Sequence, residues 1–188
     1  MNLENLDIND SWTLFLDRDG VINQRIKGGY VTSPNEFEFL PGVEKAMNIL
    51  SDIFSRIIVV TNQQGIGKGL MTEDQLADIH QKMIDHLKSA GGRIDAIYYC
   101  PALEEDRSPN RKPLPGMAFK AKEDFPGIEF SKALMVGDTE SDIEFGQRAG
   151  MFTVLCSKQT IEVDKMYHRP LYVSDDLLSF ALLLKKSI

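Results

Sequence analysis

Along the chain, short apolar runs rich in β-branched and aromatic residues alternate with segments of helical periodicity. The apolar runs predict buried strands at residues 12–17, 56–61, 94–99, 133–138 and 152–155. The segments between them predict helices at residues 42–54, 72–90, 115–124 and 139–149, and a terminal helix opened by Ser174. This alternation predicts an α/β fold with a doubly wound parallel sheet, whose ligands bind beyond the carboxyl ends of the strands.

The segment at residues 72–90 carries the clearest helical pattern. Thr72 and Gln75 have the spacing of a capping box, and one face presents a row of apolar side chains, Leu76, Ile79, Met83 and Leu87. His80 and His86 lie six residues apart and point to different faces of this helix. Together with His168 they lack metal-ligand spacing, so we predict that all three histidines are surface residues.

The composition is that of a globular protein able to bury a substantial core in one domain, residues 1–188. Hydrophobic residues make up 43% of the chain and charged residues 26%, which excludes the disordered and membrane classes. The net charge of -7 repels phosphate backbones, so nucleic acid is a disfavoured partner. We expect a monomer or a weak homo-oligomer.

Several features predict a cytoplasmic protein without a membrane partner. The N-terminal stretch MNLENLDINDS lacks the basic start and apolar run of a signal peptide. The longest apolar run, Leu177 to Leu184, is too short to span a bilayer, and we interpret it as part of the core. Cys100 and Cys156 are too few for a disulfide framework and suit a reducing compartment.

Polar groups cluster where three of the predicted strands end. The first strand ends at Asp17 and is followed by Asp19, the second ends at Thr61 and Asn62, and the fourth ends at Asp138. Two carboxylates about 4 Å apart repel by roughly 4 kcal/mol at an effective dielectric of 20, so their approach requires a compensating cation. Mg²⁺ is the natural choice, because it binds carboxylates, a carbonyl, waters and a substrate phosphate oxygen.

Four ordered motifs carry a resemblance to a known family. They are DRDG at 17–20, TNQQGIGKG at 61–69, RKPLPGM at 111–117 and VGDTESD at 136–142. Together they resemble the haloacid dehalogenase-like phosphohydrolases, and within them the histidinol-phosphatase and heptose-bisphosphate phosphatase subgroup. The resemblance runs from the first strand to about Cys156. It implies a Rossmann-like core without a large cap domain, and a magnesium-dependent phosphomonoesterase.

The resemblance implies catalytic roles for Asp17, Asp19, Thr61 and Lys112. Asp17 would attack phosphorus in line and form an aspartyl-phosphate. Asp19 would protonate the leaving oxygen and then take a proton from the water that hydrolyses the intermediate. Lys112 would supply positive charge where negative charge accumulates during transfer. The magnesium site would consist of Asp17, Asp138 and the backbone carbonyl of Asp19.

Further residues would assist at the same site. Gly20 would let the loop backbone approach the phosphoryl oxygens. Thr61 would offer its hydroxyl, and Asn62 its amide, to that same group. Asp142, one helical turn after Asp138, would steady Lys112 or a metal-bound water.

Taken singly, these residues have structural alternatives: a turn after a strand, a helix cap or a solvated loop cation. Their joint occurrence at strand ends favours a functional site. Arg111 has two open interpretations, as a bidentate ligand for a second anionic group of the substrate or as a surface arginine. The run from Gly65 to Gly69 lacks P-loop spacing and indicates a flexible rim.

The zinc loop typical of the subgroup is missing from this sequence. The corresponding stretch, CPALEEDRSPNRKP, retains only Cys100 and has no histidine. A single thiolate cannot build a four-ligand structural site, so we predict that no zinc is bound.

The substrate suggested by the resemblance is a small phosphate ester, a sugar phosphate such as D-glycero-D-manno-heptose 1,7-bisphosphate. Histidinol phosphate is the near alternative, and a DNA 3′-phosphatase shares the Thr-Asn-Gln-x-Gly-Ile stretch. The acidic charge and the absence of a basic, aromatic-interleaved groove disfavour DNA. A sugar-phosphate binding or phospho-receiver protein is the non-enzymatic alternative, but a receiver needs no acid-base partner such as Asp19.

Overall fold

A computed structural model describes residues 3, 6–157 and 163–187 of the chain. Within these residues six strands form one sheet: β1 (Thr13–Leu16), β2 (Arg56–Asn62), β3 (Ala96–Cys100), β4 (Ala133–Gly137), β5 (Phe152–Cys156) and β6 (Tyr172–Ser174). The α-helices are α1 (Val43–Ile53), α2 (Gln64–Gly67), α3 (Glu73–Ser89), α4 (Gly116–Asp124), α5 (Glu140–Ala149) and α6 (Leu177–Ser187). The predicted α/β fold is therefore confirmed.

The strand order is β3-β2-β1-β4-β5-β6, and every neighbouring pair is parallel. Strand β1 lies between β2 and β4, where the direction of winding reverses. Leu16, the last residue of β1, is in register with Val59 and Val136. Doubly wound sheets bind their ligands at this switch point, so the segments that follow β1, β2 and β4 meet at one edge.

Hydrophobic side chains bury both faces of the sheet. Leu14 and Leu16 belong to the larger cluster, which includes residues of α1, α3 and α6, whereas Phe15 belongs to the cluster under α4 and α5. This division follows from the two-residue period of a strand. The predicted core role of the run from Leu177 to Leu184 is confirmed, because both of these residues are buried within α6.

Residues 17–42, all of them described, form a short flap between β1 and α1 in place of a cap domain. The flap contains isolated bridges from Asn23 to Asp19 and to Phe39, and one short 3₁₀ turn at Pro34–Glu36. No helix among the described residues is long and apolar enough to cross a membrane.

The structure differs from the predicted elements in three places. Strand β6 was not predicted, because three residues are too few to show a period, and Ser174 ends this strand instead of opening the terminal helix. The one-turn helix α2 lies partly within the predicted flexible rim. The predicted surface position of His80 is wrong: only 7% of this residue is exposed.

Candidate active site

The carboxylate of Asp17 is held by a buried lysine. Lys112 Nζ donates hydrogen bonds to Asp17 Oδ1 and Asp142 Oδ1, both at 2.6 Å, and to the carbonyl oxygen of Val60 at 2.9 Å. Asp17, Lys112 and Asp142 are each at most 5% exposed. One carboxylate oxygen of Asp17 is therefore fixed by the lysine, which leaves Oδ2 on the other side of the group.

Two side chains from neighbouring elements place the lysine and its second partner. Asn62, the last residue of β2, donates from Nδ2 to the Lys112 carbonyl at 3.1 Å and accepts from the Lys112 amide at 3.0 Å. Asp142 Oδ2 accepts from the amide and the hydroxyl of Thr139, as expected at the N-terminus of α5. Asp142 therefore caps α5 with one oxygen and binds Lys112 with the other.

Oxygen atoms of three residues surround the guanidinium group of Arg25. Arg25 Nη2 donates to Asp138 Oδ1 at 2.7 Å and to the backbone carbonyl of Asp19 at 2.8 Å, and it lies 3.8 Å from Asp17 Oδ2. These are the oxygens that the sequence predicted as magnesium ligands. Since a single positive nitrogen reaches all three, the donor set fits a small oxygen-seeking cation at this position.

Gly20 allows the close approach of the β1 and β4 loops. Its φ angle is +102°, and a Cβ atom at this position would lie 2.0 Å from Asp138 Oδ2. Any larger residue would therefore move the Asp138 carboxylate or the loop.

The carboxylate of Asp19 is held at both oxygens. Oδ1 accepts from Arg18 at 2.9 Å and from Asn23 at 3.0 Å, and Oδ2 accepts from Gln63 at 2.9 Å. The Gln63 amide also donates to the hydroxyl of Thr61, at 2.8 Å. Burial acts to raise the pKa of Asp19, but the charge of Arg18 and these hydrogen bonds outweigh it and hold the pKa below its ordinary value.

Burial dominates the electrostatics of the other two carboxylates. It raises the pKa of Asp17 to about 7 against the opposing charge of Lys112, and nearby carboxylates add to the increase. Burial and the charge of Asp142 raise the pKa of Asp138 to about 6, although Arg25 opposes the shift. Despite its burial, Lys112 has a raised pKa because Asp142 and Asp17 stabilise its charge. A divalent cation bound to Asp17 and Asp138 would oppose the effect of burial and favour their charged forms.

An open cavity of about 1010 Å³ lies over these groups. Its walls come from the flap, from α2 and Lys68, and from the loop before α4, which contributes Arg107 and Arg111. Arg111 lines this cavity while donating to the carbonyl of Ala102 at 3.2 Å and to Gln64 Oε1 at 3.4 Å.

The predicted site residues thus lie together at the carboxyl edge of the sheet. Sequence reasoning did not identify four of their partners, Arg18, Asn23, Gln63 and Arg25. Arg18 and Gln63 adjoin residues that were identified, so their adjacency was an available signal. Asn23 and Arg25 lie in the flap, where no local pattern marks them.

Among the described residues, one group of three or more acidic, cysteine or histidine side chains could hold a metal: Asp17, Asp138 and Asp142, with ligand atoms within 4.8 Å of one another. Both cysteines are free and buried, Cys100 at the end of β3 and Cys156 at the end of β5.

The sequence is similar to a known family of hydrolases and to curated phosphatases. Residues 109–180 match a family model described as HAD-hydrolase-like. The D-glycero-alpha-D-manno-heptose-1,7-bisphosphate 7-phosphatase of Mycobacterium bovis is 39% identical over 80% of this chain and 79% of its own length. The enzyme of the same name from Burkholderia mallei is 40% identical over 76% of this chain and 77% of its length.

One solved structure has a similar fold over nearly the whole of this chain. It is the D,D-heptose 1,7-bisphosphate phosphatase from B. bronchiseptica complexed with magnesium and phosphate, with a TM-score of 0.82 and 32% sequence identity. The match covers 94% of this chain and 99% of that chain. The chain therefore belongs to the haloacid dehalogenase-like hydrolases, in the family of the D-glycero-D-manno-heptose-1,7-bisphosphate 7-phosphatases.

Proposed function

We propose that the protein is a magnesium-dependent phosphomonoesterase that uses Asp17 as its nucleophile. The observation that carries this proposal is that the two carboxylate oxygens of Asp17 have different surroundings. Lys112 binds Oδ1, and Oδ2 faces the point where oxygens of Asp19 and Asp138 converge. A bound Mg²⁺ would neutralise charge on the carboxylates and on the transferred phosphoryl group.

The protein's own residues account for the remaining chemistry. An Asp17 oxygen attacks phosphorus, the bond from phosphorus to the ester oxygen breaks, and that oxygen takes a proton from Asp19 in its protonated form. Because Arg18 and its other hydrogen bonds hold the pKa of Asp19 below its ordinary value, Asp19 must take up this proton before the ester oxygen leaves. Asp19 then accepts a proton from the water that cleaves the aspartyl-phosphate and regenerates Asp17. Lys112 stabilises negative charge throughout, and the Thr61 hydroxyl contacts the phosphoryl group. The side chain of Asn62 holds the backbone of Lys112, so its contact with the phosphoryl group would use the second N–H of Nδ2.

We assign D-glycero-D-manno-heptose 1,7-bisphosphate as the substrate and its 7-phosphate as the group removed. The names of the relatives support this choice, and the cavity has room for a sugar phosphate. Arg111 and its neighbours offer cations on the wall of the cavity for the second phosphate.

The metal, the cellular location and the partners are further parts of the proposal. We infer that the site uses Mg²⁺. We also infer that the loop from Cys100 to Arg111 binds no zinc, because it offers a single thiolate, Cys100, and no histidine. We place the enzyme in the cytoplasm, since its two thiols are free and buried. We further propose that residues 1–188 act as one domain, as a monomer or weak homo-oligomer, on a small phosphate ester without nucleic acid or membrane.

A panel of phosphate esters assayed with Mg²⁺ tests the function, with Asp17→Asn as the blank. The panel contains both anomers of heptose 1,7-bisphosphate, histidinol phosphate, a DNA 3′-phosphate and p-nitrophenyl phosphate. We expect the heptose bisphosphate to have the highest kcat/KM and Asp17→Asn to be inactive. Wild-type protein inert toward every ester would overturn the proposal, whereas preference for another ester would overturn only the substrate. Metal analysis that finds stoichiometric zinc would contradict the zinc assignment.

A further inference from the structure

We propose that Arg18 and His80 are positioning residues that fix the carboxylate of Asp19 for proton transfer. This inference rests on the proposed function, in which Asp19 is the acid-base residue. Arg18 contacts Asp19 at Oδ1, the oxygen that is not assigned to proton exchange, and His80 reaches Asp19 only through Arg18. Both act through hydrogen bonds that connect helix α3 to the loop after β1.

Arg18 is an unusual residue to find in the interior. It is only 1% exposed, and its guanidinium lies 5.9 Å from the centre of the Phe37 ring. Its Nη2 donates to Asp19 Oδ1 at 2.9 Å, and its Nη1 lies 3.2 Å from His80 Nε2. The Nε atom has no hydrogen-bond partner among the described residues. The orientation of the guanidinium therefore depends on Asp19 and His80.

The chemistry of the two side chains fixes the direction of the second bond. Arginine only donates, so Nε2 of His80 must be the acceptor and the ring proton must lie on Nδ1. A neutral ring with this tautomer holds one end of the planar guanidinium, and the other end holds Asp19. Lysine cannot reproduce this two-ended contact, because its ammonium is a single point of charge.

The contact with Arg18 determines which carboxylate oxygen of Asp19 is available to exchange the proton. Oδ1 is occupied by Arg18 and by Asn23, within the loop. Oδ2 lies on the side of Gln63, whose amide also reaches the Thr61 hydroxyl. With Oδ1 anchored, the proton exchange is assigned to Oδ2, which shares Gln63 with the Thr61 hydroxyl. Loss of the His80 contact would free one end of the guanidinium and weaken the hold of Arg18 on Oδ1, leaving Asn23 and Gln63 to orient the carboxylate.

The test compares two esters that differ in their need for an acid. A sugar phosphate has a poor alkoxide leaving group and depends on protonation by Asp19, whereas the p-nitrophenolate of p-nitrophenyl phosphate leaves with little assistance. We expect His80→Leu to lower kcat/KM tenfold or more for the sugar phosphate and less than threefold for the aryl ester. His80→Gln, which restores an acceptor, should recover the sugar phosphate rate to within threefold of wild type.

The control substitution is His86→Leu, on the same helix but at an exposed position against Glu44 and Phe39. It should leave both rates at the wild-type level. If His80→Leu does not fold, Arg18→Lys serves as the second variant and should show the same selective loss. Equal losses on the two esters, or no loss, would overturn the inference.

A measurement without turnover tests the geometry itself. Nitrogen-15 NMR of histidine-labelled protein should show His80 as the Nδ1-protonated tautomer, with Nε2 unprotonated. The opposite tautomer would overturn the inference. The activity of the wild-type enzyme distinguishes failure of this inference from failure of the proposed function. The sugar phosphate used is the one that the wild type hydrolyses fastest in the panel. If the wild type hydrolyses no ester, the proposed function and this inference are both overturned, whereas an active wild type with equal losses in His80→Leu overturns this inference alone.

Discussion

Arg25 and Asp138 form an ion pair across the mouth of the site, with 2.7 Å between Nη2 and Oδ1. The same nitrogen donates to the carbonyl of Asp19 and lies near Oδ2 of Asp17. The three oxygens around this nitrogen are those assigned to Mg²⁺. A guanidinium nitrogen and a metal ion cannot share one position, so metal binding requires Arg25 to move away.

Arg25→Ala is therefore expected to strengthen Mg²⁺ binding in the absence of substrate. The Arg25 side chain is half exposed, so its ion pair contributes about 1 kcal/mol, and its removal should lower the Mg²⁺ Kd roughly fivefold. Isothermal titration calorimetry measures this change. Lys27→Ala removes a nearby exposed flap cation and should have a much smaller effect. An unchanged or weaker affinity in Arg25→Ala would show that Arg25 does not compete with the metal.

Lys112 is expected to support both stability and catalysis. Lys112→Met leaves the buried carboxylates of Asp17 and Asp142 without their cation, which should cost about 3 kcal/mol of unfolding free energy. Urea unfolding measures this loss, and phosphate release should fall by about 100-fold or more. Adding Asp142→Asn to Lys112→Met removes one unpaired charge, so the double variant should be more stable than the single one. Independent, additive losses would contradict this coupling.

The principal residues of the site were predictable because a parallel sheet brings the carboxyl ends of its strands to one edge. Asp17, Asp19 and Asp138 follow strands whose apolar runs are easily recognised. Their partners depend on contacts between distant segments. Arg25 lies in an exposed flap with no periodic pattern. It is 113 residues from Asp138 in the sequence, and only folding brings the two side chains into contact.

His80 shows where the sequence contained more information than its interpretation used. The buried positions of α3 are 76, 79, 80, 83 and 87, which is the full stripe of an amphipathic helix. His80 therefore had the spacing of a core residue, although a histidine in such a stripe needs a polar partner. That partner, Arg18, is 62 residues away, and no local rule could have identified it.

Gly20→Ala should abolish metal-dependent activity. The added methyl group would meet the Asp138 carboxylate, and the φ angle of +102° is unfavourable for alanine. We expect at least about a 100-fold loss of kcat/KM, since misplacing a catalytic group by about 1 Å has effects of this size. Mg²⁺ affinity measured by calorimetry should fall in parallel. Gly127→Ala is the matched control, because a Cβ there has no neighbour within 4 Å. Normal Mg²⁺ affinity in Gly20→Ala would contradict this account.

The burial of His80 predicts a specific dependence of stability on pH. Burial, with the nearby charge of Arg18, lowers the pKa of His80 to about 3, below its ordinary value of 6.5. Between these two values the unfolded chain binds a proton that the folded protein does not, so stability is full above pH 6.5 and is lost as the pH falls toward 3. From pH 7 to pH 5 this group should cost about 2 kcal/mol.

Urea unfolding of wild type and His80→Gln at pH 7.0 and 5.0 measures this contribution. Glutamine keeps an acceptor for Arg18 but does not titrate, so the variant should lose about 2 kcal/mol less than wild type between the two pH values. Comparing the change with pH within each protein cancels any difference in stability that the substitution causes at neutral pH. Equal losses in the two proteins would mean that His80 takes up a proton in the folded state, which is incompatible with its role as the acceptor for the Arg18 guanidinium.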